Sequence, residues 1–411
     1  MKKNIILQFA VFLLMVFLTF SCTKDETEPQ SPNDLLIQEE LLSMTDKLLS
    51  DYKKNCPEYP GGLALKVISK NGSWFVSSGL GTGITDQVHF RAASNTKLFT
   101  STAILLLAQQ GKVNIDAVIS DTIPGTTMTY VPLTANYQVP FRDMITIRQL
   151  LQHRAGIFDV TNEYIPDTVP TSIPYRGMYY VSYVLDSDSM HNFSFDELVG
   201  VNAECHLSYF QPGGSYHYSN TGYSILGKII ERVSGQSYQQ FVMEHIVQPM
   251  GMENTSFPYL SSDRTIPLPF VSGFKYSPGN IIDCTESNMS LNVAEGNLIT
   301  TPDDLSKFLL TLIEGNGVLL PFWVNQVLLA PPAGSLPSGW YGCGIFYSMN
   351  LGFGHNGAHE GYLSRMATDP TVGFTVVAFT NSWDLSTENS LRDQLNFLVD
   401  EACYRAKIIV Q

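Results

Sequence analysis

Three groupings of polar side chains in this 411-residue chain could together make and break an acyl bond. The first is Ser94-Asn95-Thr96-Lys97. On a helix, a three-residue step sets the Lys97 ammonium beside the Ser94 hydroxyl, where it can accept the proton of a nucleophilic serine or polarise it. Spacing alone does not discriminate, because Ser50-Asp51-Tyr52-Lys53 and Ser272-Gly273-Phe274-Lys275 repeat it. Position does: Ser94 opens an apolar run after an extended segment, Ser50 lies near a helix end, and Ser272 sits in a Gly/Pro-rich stretch. The plain alternative for Ser94 is a helix N-cap, a role that serine fills by accepting a backbone N–H.

The second grouping is Tyr218-Ser219-Asn220, which follows Gln211-Pro212-Gly213-Gly214 and leads into a helical pattern. A phenol, with an ordinary pKa of about 10, acts as a base near neutrality only where cations such as Lys97 stabilise phenolate. Its alternative is a buried, hydrogen-bonded tyrosine in a loop. The third is Gly354-His355-Asn356-Gly357-Ala358, with His359-Glu360-Gly361 as a competing His-x-Gly. Read as a metal pair, His355 and His359 would need a helix to converge, and the surrounding glycines disfavour one. No metal is therefore expected, and acyl transfer by a serine requires no organic cofactor.

The elements that must carry these residues follow from periodicity. Leu35 to Tyr52 has apolar residues at helical spacing, and Leu63–Ser69 and Ser73–Gly79 read as a hairpin turning at Asn71-Gly72. Ser94 to Gly111 reads as a buried helix, with Ser94 as N-cap and Gly111 at its C-terminal end. Helical patterns recur at Ile147–Gln152, Tyr223–Val233, Tyr238–Ile246 and Pro302–Glu314. Strand character returns at Tyr341–Ser348, Gly361–Thr368 and Gly373–Thr380, before a final helix from about Glu388 to Tyr404. Strands at both ends and helices between them predict an α+β fold: one sheet closed by the two chain ends, with a helical region inserted. The expected division is 34–92 with 336–411 for the sheet and 93–335 for the inserted helical domain.

The apolar content of 44% can fill a large core, and the net charge of -14 excludes a nucleic-acid partner of the usual basic kind. Lys2 and Lys3 precede an apolar run from Ile5 to Phe20 that ends at Ser21-Cys22, which is export-signal architecture; as a membrane span the run is short. Leu18-Thr19-Phe20-Ser21-Cys22 resembles a bacterial lipobox, which predicts a signal peptide over 1–22, lipid on Cys22 and a tether over 23–33. Thr23-Lys24-Asp25-Glu26 is similar to a signal used by some lipoproteins to reach the outer cell surface. Cys56, Cys205, Cys284, Cys343 and Cys403 form no Cys-x-x-Cys pair, so zinc and thioredoxin-like chemistry lack their spacing.

Taken in order, Ser94-x-x-Lys97, Tyr218-Ser219-Asn220 and His355-Asn356-Gly357 resemble the three motifs shared by class C β-lactamases, secreted DD-carboxypeptidases and related esterases. The flanks resemble the same family at Ile145–Gly156, Pro249-Met250-Gly251-Met252 and Gly373–Asn381. Gly296–Leu305 does too, with Asn297 where the family carries a second Gly. The likeness spans Gly62 to Asn381. It implies an antiparallel sheet flanked by helices, and an acyl-enzyme on Ser94 with Lys97 and Tyr218 moving protons. It further implies an oxyanion hole from the Ser94 and Ala358 N–H groups, with Asn220, His355 and Gly357 lining the substrate, and it chooses His355 over His359. His355 stands where class C β-lactamases carry lysine, replacing a permanent charge by one mostly lost above pH about 6.5. The expected substrates are peptides or amides of D-amino acids, then esters, then β-lactams, with a catalytically silent binding protein as the alternative. The Pro-, Tyr- and Asp-rich segment Asp159 to Phe195 departs from the family pattern and is expected to be an insertion near the cleft.

Overall fold

The computed structural model describes residues 31–277, 279–383 and 389–411. Cys22, the preceding apolar run and most of the tether lie outside these residues. In chain order the first elements are helix α1 (Pro32–Asn55), the hairpin β1 (Leu63–Ser69) and β2 (Gly72–Ser78), strand β3 (Phe90–Ala93) and helix α2 (Thr96–Gln109). Helices α3 (Ile147–Leu151), α4 (Tyr180–Ser187), α5 (Phe195–Cys205), α6 (Asn220–Ser234) and α7 (Tyr238–Val242) follow. After them come the hairpin β4 (Phe274–Ser277) and β5 (Asn280–Asp283), β6 (Leu298–Thr300), α8 (Pro302–Ile313) and the single turn α9 (Pro321–Trp323). The chain ends with β7 (Gly339–Tyr341), β8 (Phe346–Ser348), β9 (Gly352–His359), β10 (Tyr362–Asp369), β11 (Phe374–Thr380) and α10 (Asn389–Val410).

The strands of the main sheet run in the order β2-β1-β11-β10-β9-β8-β7, so β1 from the first part of the chain lies against β11 from the last. The pairings are antiparallel, with Leu63 opposite Thr380 and Leu363 opposite Ala358. Strand β11 is apolar and buried along its whole length, as expected of a strand covered on both faces. Leu41, Leu48 and Leu49 of α1 and Leu398, Ala402 and Ala406 of α10 cover one face. On the other, α8 packs against β1, β10 and β11, and Phe308 stacks on Phe99 of α2 at 3.7 Å between centroids. The predicted α+β architecture is therefore the one observed. Although α8 falls within the range 93–335, it is a layer of the sheet.

Local differences from the sequence reading have local causes. Tyr341–Ser348 is two short strands, because the connecting loop turns at Gly344, whose φ is +74°. A Cβ there would lie 1.9 Å from Ser101 Oγ, so the turn can approach α2 only as glycine. The His355 motif lies within β9, its glycines serving close packing: a Cβ on Gly354 would meet the Met366 carbonyl oxygen at 1.9 Å. Helix α7 loosens into a π turn at Met243–Val247, and α4 and α5 are helices that the sequence reading did not assign. The segment after Asp159 builds its own small core, with Ile165, Ile173, Tyr180 and Phe193 against Leu198 and Val201 of α5. The five cysteines beyond Cys22 are free thiols. Among the described residues no helix is long and apolar enough to cross a membrane.

Candidate active site

Ser94 does not cap α2. It precedes Asn95, the N-cap, in a sharp turn where Ala93 holds φ at +50°, an unfavourable value for a residue with a Cβ. Side chains pin the turn: Asn95 Nδ2 donates to the Ala92 carbonyl at 2.7 Å and to Ser364 Oγ at 2.9 Å, and Thr96 Oγ1 donates to the Ala93 carbonyl at 2.7 Å. Gly357 closes the other side, since a Cβ there would sit 2.0 Å from the Ala92 oxygen. The nucleophile turn and the middle of β9 are thus fitted together with no room for a side chain between them.

Lys97 is fully buried, and its Nζ donates to Ser94 Oγ at 3.2 Å, to the Glu295 carbonyl at 2.7 Å and to Glu295 Oε2 at 3.3 Å. The ammonium also lies 4.8 Å from the ring centre of Tyr218 and 5.4 Å from that of Tyr223. Burial lowers the Lys97 pKa, and Glu295 opposes the fall. The Tyr218 ring lies against the Lys97 ammonium, which sets its hydroxyl toward the Ser94 side chain. Burial raises the Tyr218 pKa well above the usual value; the Ser94 side chain works against this, and the carboxylates of Glu295 and Asp159 add to it. Glu295 was not among the sequence-derived candidates. It is 2% exposed, its Oε1 accepts from Asn292 at 2.8 Å, and burial pushes its pKa up while Lys97 and Asn292 pull it down.

His355 is placed with this group and is 1% exposed. Its Nδ1–H donates to the Asn356 carbonyl at 2.6 Å, so its Nε2 accepts the Tyr341 hydroxyl at 3.0 Å. Burial, then the charge on Lys97, lowers its pKa to about 3. His359 lies farther along β9 beside Glu360, lowered to about 4 by burial and by Arg91. Asn220 opens α6, where Ser219 accepts from the Gly222 N–H at 3.2 Å. Its Nδ2 donates to Thr161 Oγ1 at 3.0 Å, Thr161 donates to Asp159 Oδ1 at 2.8 Å, and its buried Oδ1 has no partner. Ala358 is exposed on β9 beyond Gly354, the last residue that β8 pairs.

His153 also went unassigned in the sequence reading. It is buried among Tyr218, Tyr223 and Tyr341, with ring centres at 4.2, 5.0 and 4.7 Å, and accepts the Ser219 N–H on Nδ1 at 3.1 Å. Burial and then Lys97 hold it well below the usual histidine range, so it too is uncharged. Beside this box opens a cavity of about 410 Å³ lined by Arg154, Tyr216, Trp340, Tyr341, Phe346 and Tyr347. A larger cavity of about 540 Å³ lies between Asn356, Arg365 and Asp400. Asn356 alternates with His355 along β9, which puts that cavity on the opposite face of the sheet from the serine. Among the described residues no cluster of His, Cys, Asp and Glu is arranged to hold a metal ion.

A serine at a strained strand-to-helix turn, with a lysine on its hydroxyl, a tyrosine against that lysine and an antiparallel strand alongside, fits the serine-hydrolase class that the family model Beta-lactamase describes. That model matches residues 57–401, and the chain belongs to this family. It is 28% identical over 344 residues to Protein flp of Staphylococcus aureus (strain MW2), an alignment covering 78% of this chain and 59% of that one. The chain therefore spans about three fifths of that relative's length. The D-amino acid amidase of Ochrobactrum anthropi SV3, solved with L-phenylalanine amide, superposes with a TM-score of 0.69 at 23% identity, over 90% of this chain and 98% of that one. A penicillin binding protein from Bacillus halodurans gives 0.61 at 21% identity, over 85% and 98%. At these identities the solved structures share the fold.

Proposed function

We propose that the protein hydrolyses amides or short peptides of D-amino acids through an acyl-enzyme on Ser94, and that it works at a membrane held by lipid on Cys22. The observation that carries the first part is the convergence on one side chain: Lys97 Nζ lies 3.2 Å from Ser94 Oγ, and the Tyr218 ring lies 4.8 Å from the same ammonium. As Ser94 Oγ bonds the substrate carbonyl carbon, its proton passes to the Lys97 and Tyr218 pair. That proton is then delivered to the departing nitrogen as the C–N bond breaks, and water repeats the sequence to free the acid. The N–H groups of Ser94 and Ala358 stabilise the oxyanion. Asn220, its Nδ2 engaged by Thr161, offers Oδ1 as an acceptor for a substrate N–H.

Two features order the substrates. His355 is uncharged across the physiological range, so the position where class C β-lactamases present a lysine supplies no cation for a β-lactam carboxylate. The aromatic cavity beside Tyr341 suits a flat apolar side chain next to the scissile carbonyl. The fold shared with a D-amino acid amidase makes D-phenylalaninamide the first compound to test. Wild-type protein should release ammonia from it and Ser94→Ala should not; equal release by both would overturn the assignment. Intact mass after brief exposure to benzylpenicillin should show no long-lived adduct, and a stable adduct on wild type alone would shift the reading to a penicillin-binding peptidase.

A further inference from the structure

Glu295 is an unexpected neighbour for a catalytic lysine. It comes from the loop before β6, 198 residues beyond Lys97 in sequence, and both side chains are sealed from solvent. We propose that Glu295 is a positioning residue that holds Lys97 as the ammonium in the resting enzyme, and so sets the pH at which Ser94 becomes a nucleophile. This rests on the assignment of Ser94 and Lys97 above.

The geometry is that of a charged amine. An ammonium has three N–H donors, and Lys97 has three acceptors within reach: the Glu295 carbonyl, Glu295 Oε2 and Ser94 Oγ. Two aromatic faces complete its surroundings. On the carboxylate side, Asn292 Nδ2 donates to Oε1 while Oε2 faces Lys97, so both oxygens are placed to accept, as the ionised form does. A neutral amine facing Ser94 would instead turn its lone pair to the hydroxyl and leave Oε2 with less to bind. A buried pair of this kind is sensitive to removal of either partner.

The ionisable groups around Lys97 come from several elements. Asp159, in the loop after α3, also favours the ammonium, but acts behind Glu295. His153, after α3, and His355, on β9, are uncharged. Tyr218 and Tyr223 present ring faces, and burial keeps both phenols protonated. Ionised, Glu295 thus outweighs Asp159 at both groups that could take the Ser94 proton, and it raises the proton affinity of each. Removing that charge makes either group shed its proton at lower pH. The sign of the effect is the same whichever of the two is the base.

The test is the pH dependence of Ser94 phosphonylation by a fluorophosphonate, which forms a P–O bond, expels fluoride and requires only an activated serine. In Glu295→Gln the acid limb of the rate should move to lower pH by roughly one to three units, and Glu295→Asp should keep it near the wild-type position. If Glu295→Gln does not fold, Asn292→Leu serves: stripping Oε1 of its donor favours the protonated acid and should move the limb the same way by less. A limb that stays in place, or moves up, in folded Glu295→Gln overturns the proposal and makes Glu295 a packing group. Failure of the wild type itself to label at Ser94 would instead overturn the proposed function.

Discussion

The Tyr341 hydroxyl donates to Nε2 of His355 at 3.0 Å, while Nδ1–H of the same ring is spent on the backbone of Asn356. Both nitrogens are committed, so the imidazole is fixed in one neutral tautomer inside the wall of the cleft. A residue whose type suggests a pH-dependent charge is here a fixed dipole, and it connects the β7 strand to the β9 strand beside the nucleophile.

That neutrality has a stability signature. His355 has its folded pKa depressed to about 3 against an unfolded value near 6.5, so the unfolded chain binds the extra proton in between. Its contribution is complete above pH about 6.5 and is lost as pH falls toward 3, by up to about 1.4 kcal/mol for each unit. Chemical denaturation of wild type and His355→Gln from pH 7 to pH 4 should show a shallower loss in the variant; parallel curves would show that His355 is charged in the fold.

Gly357 should tolerate no side chain. Alanine there would bring Cβ within 2.0 Å of the Ala92 oxygen and 2.7 Å of Asn95 Nδ2, forcing β9 away from the serine turn. Overpacking of this kind costs about 1–3 kcal/mol, and a shift of about 1 Å at the reacting atoms costs roughly a hundredfold in rate. Gly357→Ala should therefore melt lower and lose labelling at Ser94 far beyond what its stability explains. Full activity in a folded variant would mean that the strand and the turn are not rigidly coupled.

The aromatic cavity predicts a specificity change. Trp340 and Tyr347 stack at 5.3 Å within it. Trp340→Ala should lower kcat/KM for D-phenylalaninamide by roughly tenfold, while D-alaninamide, too small to reach the ring, should be little affected. Equal losses on both compounds would place the substrate side chain elsewhere.

The anchor can be checked independently of catalysis. Metabolic labelling with a radioactive fatty acid should tag the wild-type protein and not Cys22→Ala, and the variant should be released in soluble form. A label that persists in the variant would exclude the lipobox.

Much of the candidate site was legible because residues that the fold brings together sit in local patterns: Ser94 and Lys97 three apart, Tyr218 and Asn220 two apart, His355 and Gly357 two apart. The sheet was legible at β1, β2, β10 and β11, where β-branched and aromatic residues run between turn signals. Strand β9 was not, because its glycines are chosen for contact with Met366 and Ala92, a requirement set by neighbours remote in sequence. The same holds for Tyr341, His153 and Glu295. Each owes its place to a partner brought by the fold, and the only local hint of Glu295 was an acid within the otherwise uncharged stretch from Asn288 to Pro302.

The hydrogen bond from Asn95 to Ser364 joins residues 269 positions apart. On a ribosome the chain presents Ser94 long before the strands that flank it in the fold have appeared. The serine is then an ordinary hydroxyl, with its lysine solvated and no strand beside it. The surroundings of Ser94 are completed late and all at once, when β9 and β10 dock against the turn, and if the proposed function holds, any truncation before those strands leaves an inert chain.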